Sequence, residues 1–194
     1  MMIYFDWMHI FISLAALVAA LIILWKQNKS FSYLFFFSIF WIYLMGVVSV
    51  VAFPFPVGFP NQDFKPSVNL VPFDFGSCQM INLCIRGIFD NILLAIPFGF
   101  GISFIARIKP QNIFWLAIAV GFTFELFQLI ISLVIQSPFR VVDINDVILN
   151  ATGVLIGYGI FRIFGWLYLF AARRFDFKPK YIFAYIYNVV ADHQ

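Results

Sequence analysis

The sequence predicts an all-α polytopic membrane protein, a bundle of about five transmembrane helices. Of the 194 residues, 63% are hydrophobic and only 11% are charged, whereas a soluble domain carries roughly 25% charged residues. Several windows hold about 20 mostly apolar residues, which is the length that a helix needs to cross the hydrocarbon core. The net charge of +3 comes from scattered residues. The composition therefore predicts neither a soluble domain nor a partner nucleic acid.

Five windows are long and apolar enough to be membrane-spanning helices. They cover residues 3–25, 33–53, 88–108, 113–135 and 147–170. Residues 171–194 follow as a tail, in which the apolar run is too short to span a membrane and is predicted to be an interfacial helix or a packed segment. The whole chain, residues 1–194, is predicted to be a single membrane domain.

A Pro/Phe-rich connection, residues 54–87, joins the second and third predicted helices. Three prolines and a glycine within residues 54–60 exclude a regular helix at its start, yet the connection stays rich in phenylalanine. We therefore expect it to lie on the membrane surface or to fold back over the mouth of the bundle. Cys78 and Cys84 lie in this connection. A disulfide between them and two free thiols are both compatible with the sequence.

The basic residues of the loops predict the orientation, because loops rich in Lys and Arg remain on the cytoplasmic side. Eight basic residues lie on the side of the C-terminal tail: Lys26, Lys29, Arg107, Lys109, Arg173, Arg174, Lys178 and Lys180. Three lie on the opposite side: Lys65, Arg86 and Arg140. We therefore predict that the N-terminus is outside the cell and that the C-terminus is cytoplasmic.

Polar side chains interrupt the fourth and fifth predicted helices at helical spacing, so they form one stripe on each helix. Charged groups at membrane depth are costly and usually face the interior of a bundle. Further polar residues lie in the outer turns and loops of the same side, so the sequence predicts a polar, outward-open cavity. The predicted ligand-binding residues are Asn69, Asn91, Glu125, Gln128, Arg140, Asp143, Asp146 and Asn150.

Structural roles would also explain part of this pattern. Glu125 and Gln128 could join helices through hydrogen bonds, and Asp143 or Asp146 could cap the fifth helix, where carboxylates are favourable. Capping needs only one of these two carboxylates. The Gly-x-x-x-Gly pair at residues 153–157 predicts that a neighbouring helix, the third or the fourth, approaches closely.

Four sequence blocks follow one another between residues 69 and 160. They read Asn69-Leu70-Val71-Pro72-Phe73, then Asn91 with Pro97-x-Gly99, then Glu125-x-x-Gln128, then Arg140-x-x-Asp143-x-x-Asp146-Val147-Ile148-x-Asn150-x-x-Gly153. In these blocks the sequence resembles the VanZ family, although Gly87 and Asp90 stand where Asn and Gly are expected before Asn91. The resemblance implies a cell-envelope protein of the bacterial cytoplasmic membrane. It also implies a link to antibiotic resistance, against teicoplanin, a glycopeptide that carries a lipid tail.

Three functions fit these observations. The first is binding or handling of an amphiphilic ligand at the outer leaflet, with membrane lipids and a lipid-linked cell-wall precursor or lipoglycopeptide as partners. The second is a membrane-embedded enzyme that uses Glu125 or Asp146 as a general acid or base. The third, a small transporter with a proton or cation site at Glu125, lacks the usual inverted repeat. Oxygen ligands could hold Mg²⁺ or Ca²⁺, but nearby arginines can neutralise the acids instead, so neither a metal nor a cofactor is predicted.

The predicted orientation can be tested by labelling single cysteines in a variant without Cys78 and Cys84. A membrane-impermeant thiol reagent applied to intact cells should label Lys65→Cys but not Lys178→Cys, because the two positions are predicted to lie on opposite sides of the membrane. Permeabilised cells, in which both positions should react, are the control. Labelling of position 178 alone in intact cells would reverse the orientation.

Overall fold

The computed structural model describes residues 2–57, 64–74, 81–137 and 140–193, without the side chains of residues 81–84. In these residues the chain forms the helices α1 (Trp7–Lys26), α2 (Phe31–Val51), α3 (Ile81–Gly101), α4 (Ile113–Ile135), α5 (Ile144–Arg174) and α6 (Ile182–Asp192). Its short strands are β1 (Met2–Ile3), β2 (Phe55–Pro56), β3 (Val68–Asn69) and β4 (Val142–Asp143). The helices α1 to α5 are each long and apolar enough to span a membrane, which confirms the predicted all-α bundle. Cys78 and Cys84 lie outside the side chains that the structure describes, so their pairing stays open.

The helix boundaries differ from the predicted ones where capping or pairing decides them. α1 begins at Trp7, four residues later than predicted, because β1 pairs with β2 and Asp6 caps the helix. α3 begins at Ile81 and continues through Pro97. α5 extends from Ile144 to Arg174, beyond the predicted window at both ends. Hydropathy windows detect the membrane-spanning length of a helix but not the polar turns that extend it.

The bundle has two chemically distinct ends. We call one of them the network end, after the hydrogen-bonded polar residues described below. It holds the C-termini of α2 and α4, the N-termini of α1, α3 and α5, and both strand pairs, β1 with β2 and β3 with β4. The basic end is the opposite one and holds α6 together with most of the lysines and arginines. Large apolar side chains cover much of the surface of α1 and α2, as expected for helices that face lipid.

Glycines allow α5 to pack with its backbone against α3. A Cβ atom built at Gly153 or Gly157 would overlap the carbonyl oxygen of Ile92 or Ile96 on α3. From the other side, a Cβ at Gly99 of α3 would overlap the carbonyl oxygen of Val154 on α5. The predicted close approach at residues 153–157 is therefore confirmed, and the neighbour is α3.

A similar contact holds α4 against the start of α5. A Cβ atom at Gly121 would overlap the carbonyl oxygen of Val147. Because Gly121 lies one turn before Glu125, this contact turns the polar face of α4 toward the first turns of α5. α5 is thus the central helix, with α3 and α4 packed directly on its backbone.

The C-terminal segment packs against the basic end of the bundle. Val190 of α6 is completely buried, and the hydroxyl group of Tyr185 donates a hydrogen bond to the carbonyl oxygen of Phe104. Arg107 Nη2 lies 3.3 Å from Asp192 Oδ2. Of the two predicted arrangements for this tail, an interfacial helix or a packed segment, the structure has a helix that is packed against the bundle.

Gly157→Ala should destabilise the protein by about 1–3 kcal/mol, because the added methyl group meets backbone atoms that cannot rotate away. Gly159→Ala, on the same helix, is the matched control because nothing lies within 4 Å of the added atom. Thermal unfolding in detergent should show a lower midpoint for Gly157→Ala and an unchanged or slightly higher one for Gly159→Ala. Equal midpoints would refute the close backbone contact.

Candidate functional site

The short parallel pair of β3 and β4 brings the loop after α2 to the start of α5. This pairing sets Asn69 opposite Asp143. Asn69 Nδ2 donates hydrogen bonds to Asp143 Oδ2 at 3.1 Å and to the carbonyl oxygen of Asp74 at 2.9 Å, while its Oδ1 accepts from the amide of Val71. Two segments that lie more than 70 residues apart in the sequence are joined here through one amide side chain.

Glu125 of α4 joins the same group of residues. Its side chain is only 2% exposed, and Oε2 accepts a hydrogen bond of 2.9 Å from the amide of Asp143. Oε1 is buried and has no hydrogen-bond partner among the residues that the structure describes. Gln128 and Ser132, also buried, follow on the next two turns of the same face. The polar stripe of α4 therefore points into the protein, and one carboxyl oxygen remains available as an acceptor.

Asp146 links α5 to α3. Its Oδ1 accepts a hydrogen bond of 2.6 Å from Nδ2 of Asn91, and its carbonyl oxygen accepts one of 2.8 Å from Nδ2 of Asn150. Asn150 is 2% exposed, and its Oδ1 is a second buried acceptor without a partner in the described part of the chain. The polar stripe that helical spacing predicted on α5 thus contacts two helices. Asp146 binds Asn91 of α3, and Asp143 binds Glu125 of α4.

Asn145 belongs to the site although the sequence analysis did not select it. It is 2% exposed. Its Oδ1 accepts from the amide of Phe73, and its Nδ2 donates to the carbonyl oxygen of Asp74 and to Asp143 Oδ1, both at 2.9 Å. Asn145 fixes the loop after β3 onto α5. The only signal in the sequence was an amide between two acids at a helix start, off the stripe that helical spacing picks out.

Asp143 has both of the roles that the sequence left open. Its Oδ1 accepts a hydrogen bond of 2.8 Å from the amide of Asn145, so Asp143 caps α5 as the structural interpretation expected. Its second oxygen binds Asn69, and its own amide binds Glu125. Capping and network formation are therefore combined in one residue.

Arg140 lies on the exposed rim of this group. Its Nη2 donates a hydrogen bond of 2.9 Å to the carbonyl oxygen of Val50, in the last turn of α2. The arginine therefore connects the site to the C-terminal end of α2. Asp90, next to Asn91 in the sequence, forms an exposed ion pair with Arg86, at 3.5 Å between Asp90 Oδ2 and Arg86 Nε.

We call Asn69, Asn91, Glu125, Asp143, Asn145, Asp146 and Asn150 the polar network. Hydrogen bonds join its members in two groups, one around Asp143 with Asn69, Glu125 and Asn145 and one around Asp146 with Asn91 and Asn150. Two of its buried acceptors have no donor among the described residues. Such a site can accept hydrogen bonds or a proton from a bound group. The predicted outward-open cavity stays a prediction, because residues 58–63, 75–80 and 138–139 of its expected surroundings lie outside the described residues.

An apolar groove of about 400 Å³ lies between α1 and α2. Phe5, His9, Trp41, Met45, Val48 and Phe53 are among the residues that line it. Trp41 Nε1 donates to Ser13 Oγ across the two helices, and the ring of His9 contacts those of Phe5 and Phe53. Val48 and Phe53 flank Val50, so one end of the groove reaches the turn of α2 that Arg140 contacts.

Comparison with family models gives one finding that bears on this site. The model described as VanZ/LLP1 matches residues 40–165, a segment that includes all of the polar network and Arg140. Comparison with curated proteins and with solved structures found no match. Since the matched segment exceeds half of the chain and agrees with the motif blocks and with the bundle of five long apolar helices, this multi-pass membrane protein belongs to the VanZ/LLP1 family.

Proposed function

We propose that this protein binds the polar head of an amphiphilic ligand at the network end. The ligand is a lipid-linked cell-wall precursor or a lipoglycopeptide, and it is bound at the outer leaflet of a bacterial cytoplasmic membrane. The excess of basic residues at the opposite end supports this orientation. The resemblance to VanZ proteins supports a contribution to teicoplanin tolerance.

The observation that carries the proposal is a pair of buried acceptors that have no donor among the residues that the structure describes. Glu125 Oε1 and Asn150 Oδ1 both belong to the polar network. A buried acceptor without a donor costs about 1–3 kcal/mol, and lipid tails offer no donor. A ligand group with N–H or O–H donors would satisfy these acceptors. Sugar hydroxyls, amides and ammonium groups, which lipid-linked precursors and lipoglycopeptides carry, are donors of this kind.

The apolar groove supports an amphiphilic ligand rather than a fully polar one. Its wall consists almost entirely of apolar and aromatic side chains from α1, α2 and the residues next to them, so it suits a hydrocarbon tail. Arg140, at the rim of the polar network, contacts the same turn of α2 that carries Val48 into the groove. A tail in the groove would therefore leave the ligand's head near the network end.

A membrane-embedded enzyme is the second candidate, and it is favoured by Glu125 Oε1, which has no hydrogen-bond partner in the described part of the chain. A buried carboxyl group with one free oxygen can take up or release a proton during a reaction on a bound head group. Asp146, the other candidate acid or base, has its Oδ1 engaged by Asn91. Glu125 is therefore the better candidate for general acid or base catalysis.

Glu125→Gln should weaken teicoplanin binding to the purified protein by about tenfold, a loss of one hydrogen bond to a charged group. The amide oxygen of Gln can still accept from the amide of Asp143, but its NH₂ group then replaces the free acceptor with a donor. Titration calorimetry in detergent measures the affinity. Teicoplanin susceptibility of cells that express each variant, normalised to the amount of protein in the membrane, measures the consequence.

Two matched variants interpret that result. Asp90→Asn removes a carboxylate at the same end but outside the polar network, so it should keep wild-type binding. Glu125→Leu leaves the amide of Asp143 without its acceptor and should reduce the yield of folded protein. If Glu125→Gln keeps the wild-type affinity for teicoplanin and cells that express it keep the wild-type susceptibility, Glu125 has only a structural role. Ligand that is bound equally by both proteins but chemically altered only by the wild type would instead establish the enzyme.

A further inference from the structure

A polar cavity lies at the basic end, about 660 Å³ in volume. Its wall comes from the first turn of α2, the segment after α3, and α6. Polar and apolar side chains both line it, and the polar ones include Lys29, Tyr33, Ser103, Arg107, Asn188 and His193. This cavity shares no residue with the polar network, and all of α6 lies beyond the segment that matches the family model.

Two buried polar atoms in the wall of this cavity have no hydrogen-bond partner among the described residues. They are Ser103 Oγ and His193 Nε2, on residues that are 3% and 6% exposed. The other ring nitrogen of His193 lies 2.8 Å from the carbonyl oxygen of Val189. A carbonyl only accepts, so Nδ1 carries the proton and a neutral His193 presents Nε2 as an acceptor. The wall therefore offers one hydroxyl group and one imidazole nitrogen to a ligand.

The charged side chains of the wall sum to one positive charge when His193 is neutral. Lys29 and Arg107 are cationic and Asp192 is anionic. Lys29 Nζ lies 5.1 Å above the centre of the Tyr33 ring, a cation–π contact that keeps it beside the cavity. Arg107 is bound to Asp192 at 3.3 Å but has an exposed side chain. A ligand with a single negative charge would neutralise this wall.

We propose that this cavity binds the phosphodiester head group of an anionic membrane phospholipid of the phosphatidylglycerol type. Lys29 and Arg107 attract the phosphate, Ser103 Oγ donates to a phosphate oxygen, and Nε2 of His193 accepts from a glycerol hydroxyl. The cavity lies where a membrane-spanning helix, α2, begins, and this is the depth at which lipid head groups lie.

Tyr185 also lines the cavity, and its hydroxyl group is engaged within the protein. Tyr185 donates its hydroxyl hydrogen to the carbonyl oxygen of Phe104, and burial raises the pKa of Tyr185 to about 12. Its phenol therefore stays neutral and does not repel an anion. Because α6 carries Tyr185 and Asn188 and is capped at its C-terminus by His193, the bound lipid would contact α6 and α2 together. The lipid would thus hold the C-terminal helix on the bundle.

Native mass spectrometry of the full chain, released from a neutral detergent, tests the proposal. Phosphatidylglycerol should bind more tightly than phosphatidylcholine, whose choline cancels the phosphate charge. Lys29→Gln should weaken phosphatidylglycerol binding about fivefold, the effect of one basic residue near a lipid surface. Asp192→Asn should strengthen it about fivefold, because it removes the only acid among the described residues of the wall. Lys109→Gln, an exposed lysine at the same end outside the wall, is the control and should bind like the wild type.

The variants separate an anion site from a purely structural ion pair. If the pair of Arg107 and Asp192 only held α6, Asp192→Asn would not strengthen lipid binding, and this result would overturn the proposal. Lys29→Gln makes no change to that ion pair, so wild-type binding by Lys29→Gln would overturn it independently. Inorganic phosphate forms a separate arm: binding of free phosphate that depends on Lys29, without binding of phosphatidylglycerol, would assign the cavity to a soluble anion instead of a lipid.

Discussion

The start of α5, its cap Asp143 together with its first turn, is the point on which the network end depends, because four segments are attached to it by hydrogen bonds. Asp143 holds α4 through its amide and β3 through its carboxylate. Asn145 holds the loop that follows β3, and Asp146 holds α3. Lipid provides no alternative partner for groups at membrane depth, so each of these bonds is costly to break. The same residues therefore hold four segments of the fold together and form the candidate site.

Backbone packing makes these polar contacts possible. The glycine contacts between α3 and α5 bring the two helix axes close together, which puts Asn91 within reach of Asp146. The contact of Gly121 with Val147 does the same for α4, so that Glu125 reaches the amide of Asp143. Small residues deeper in the bundle thus determine the position of the polar residues near its end. The basic end is built differently, from aromatic side chains and a packed terminal helix.

Much of this arrangement follows from local patterns in the sequence, and the rest depends on contacts between distant segments. Apolar windows predicted the five long helices, and helical spacing predicted the buried positions of Glu125 and Asn150 and the glycine contact of α5. Nothing local predicted the pairing of β3 with β4 or the role of Asn145, because their partners lie more than 70 residues away. The cavity beside α6 was missed for the same reason, since Ser103 and His193 lie 90 residues apart in the sequence and line one cavity only after α6 packs.

The central claim is that the polar network keeps two acceptors for the donors of a bound head group. A high-resolution structure in lipid, determined in the presence of teicoplanin or a lipid-linked cell-wall precursor, tests it most directly. We predict ligand density with a donor about 2.7–3.2 Å from Glu125 Oε1 or Asn150 Oδ1, and a hydrocarbon tail in the groove between α1 and α2. A structure in which both acceptors bind the protein's own donors, with the ligand absent from the network end, would contradict the claim.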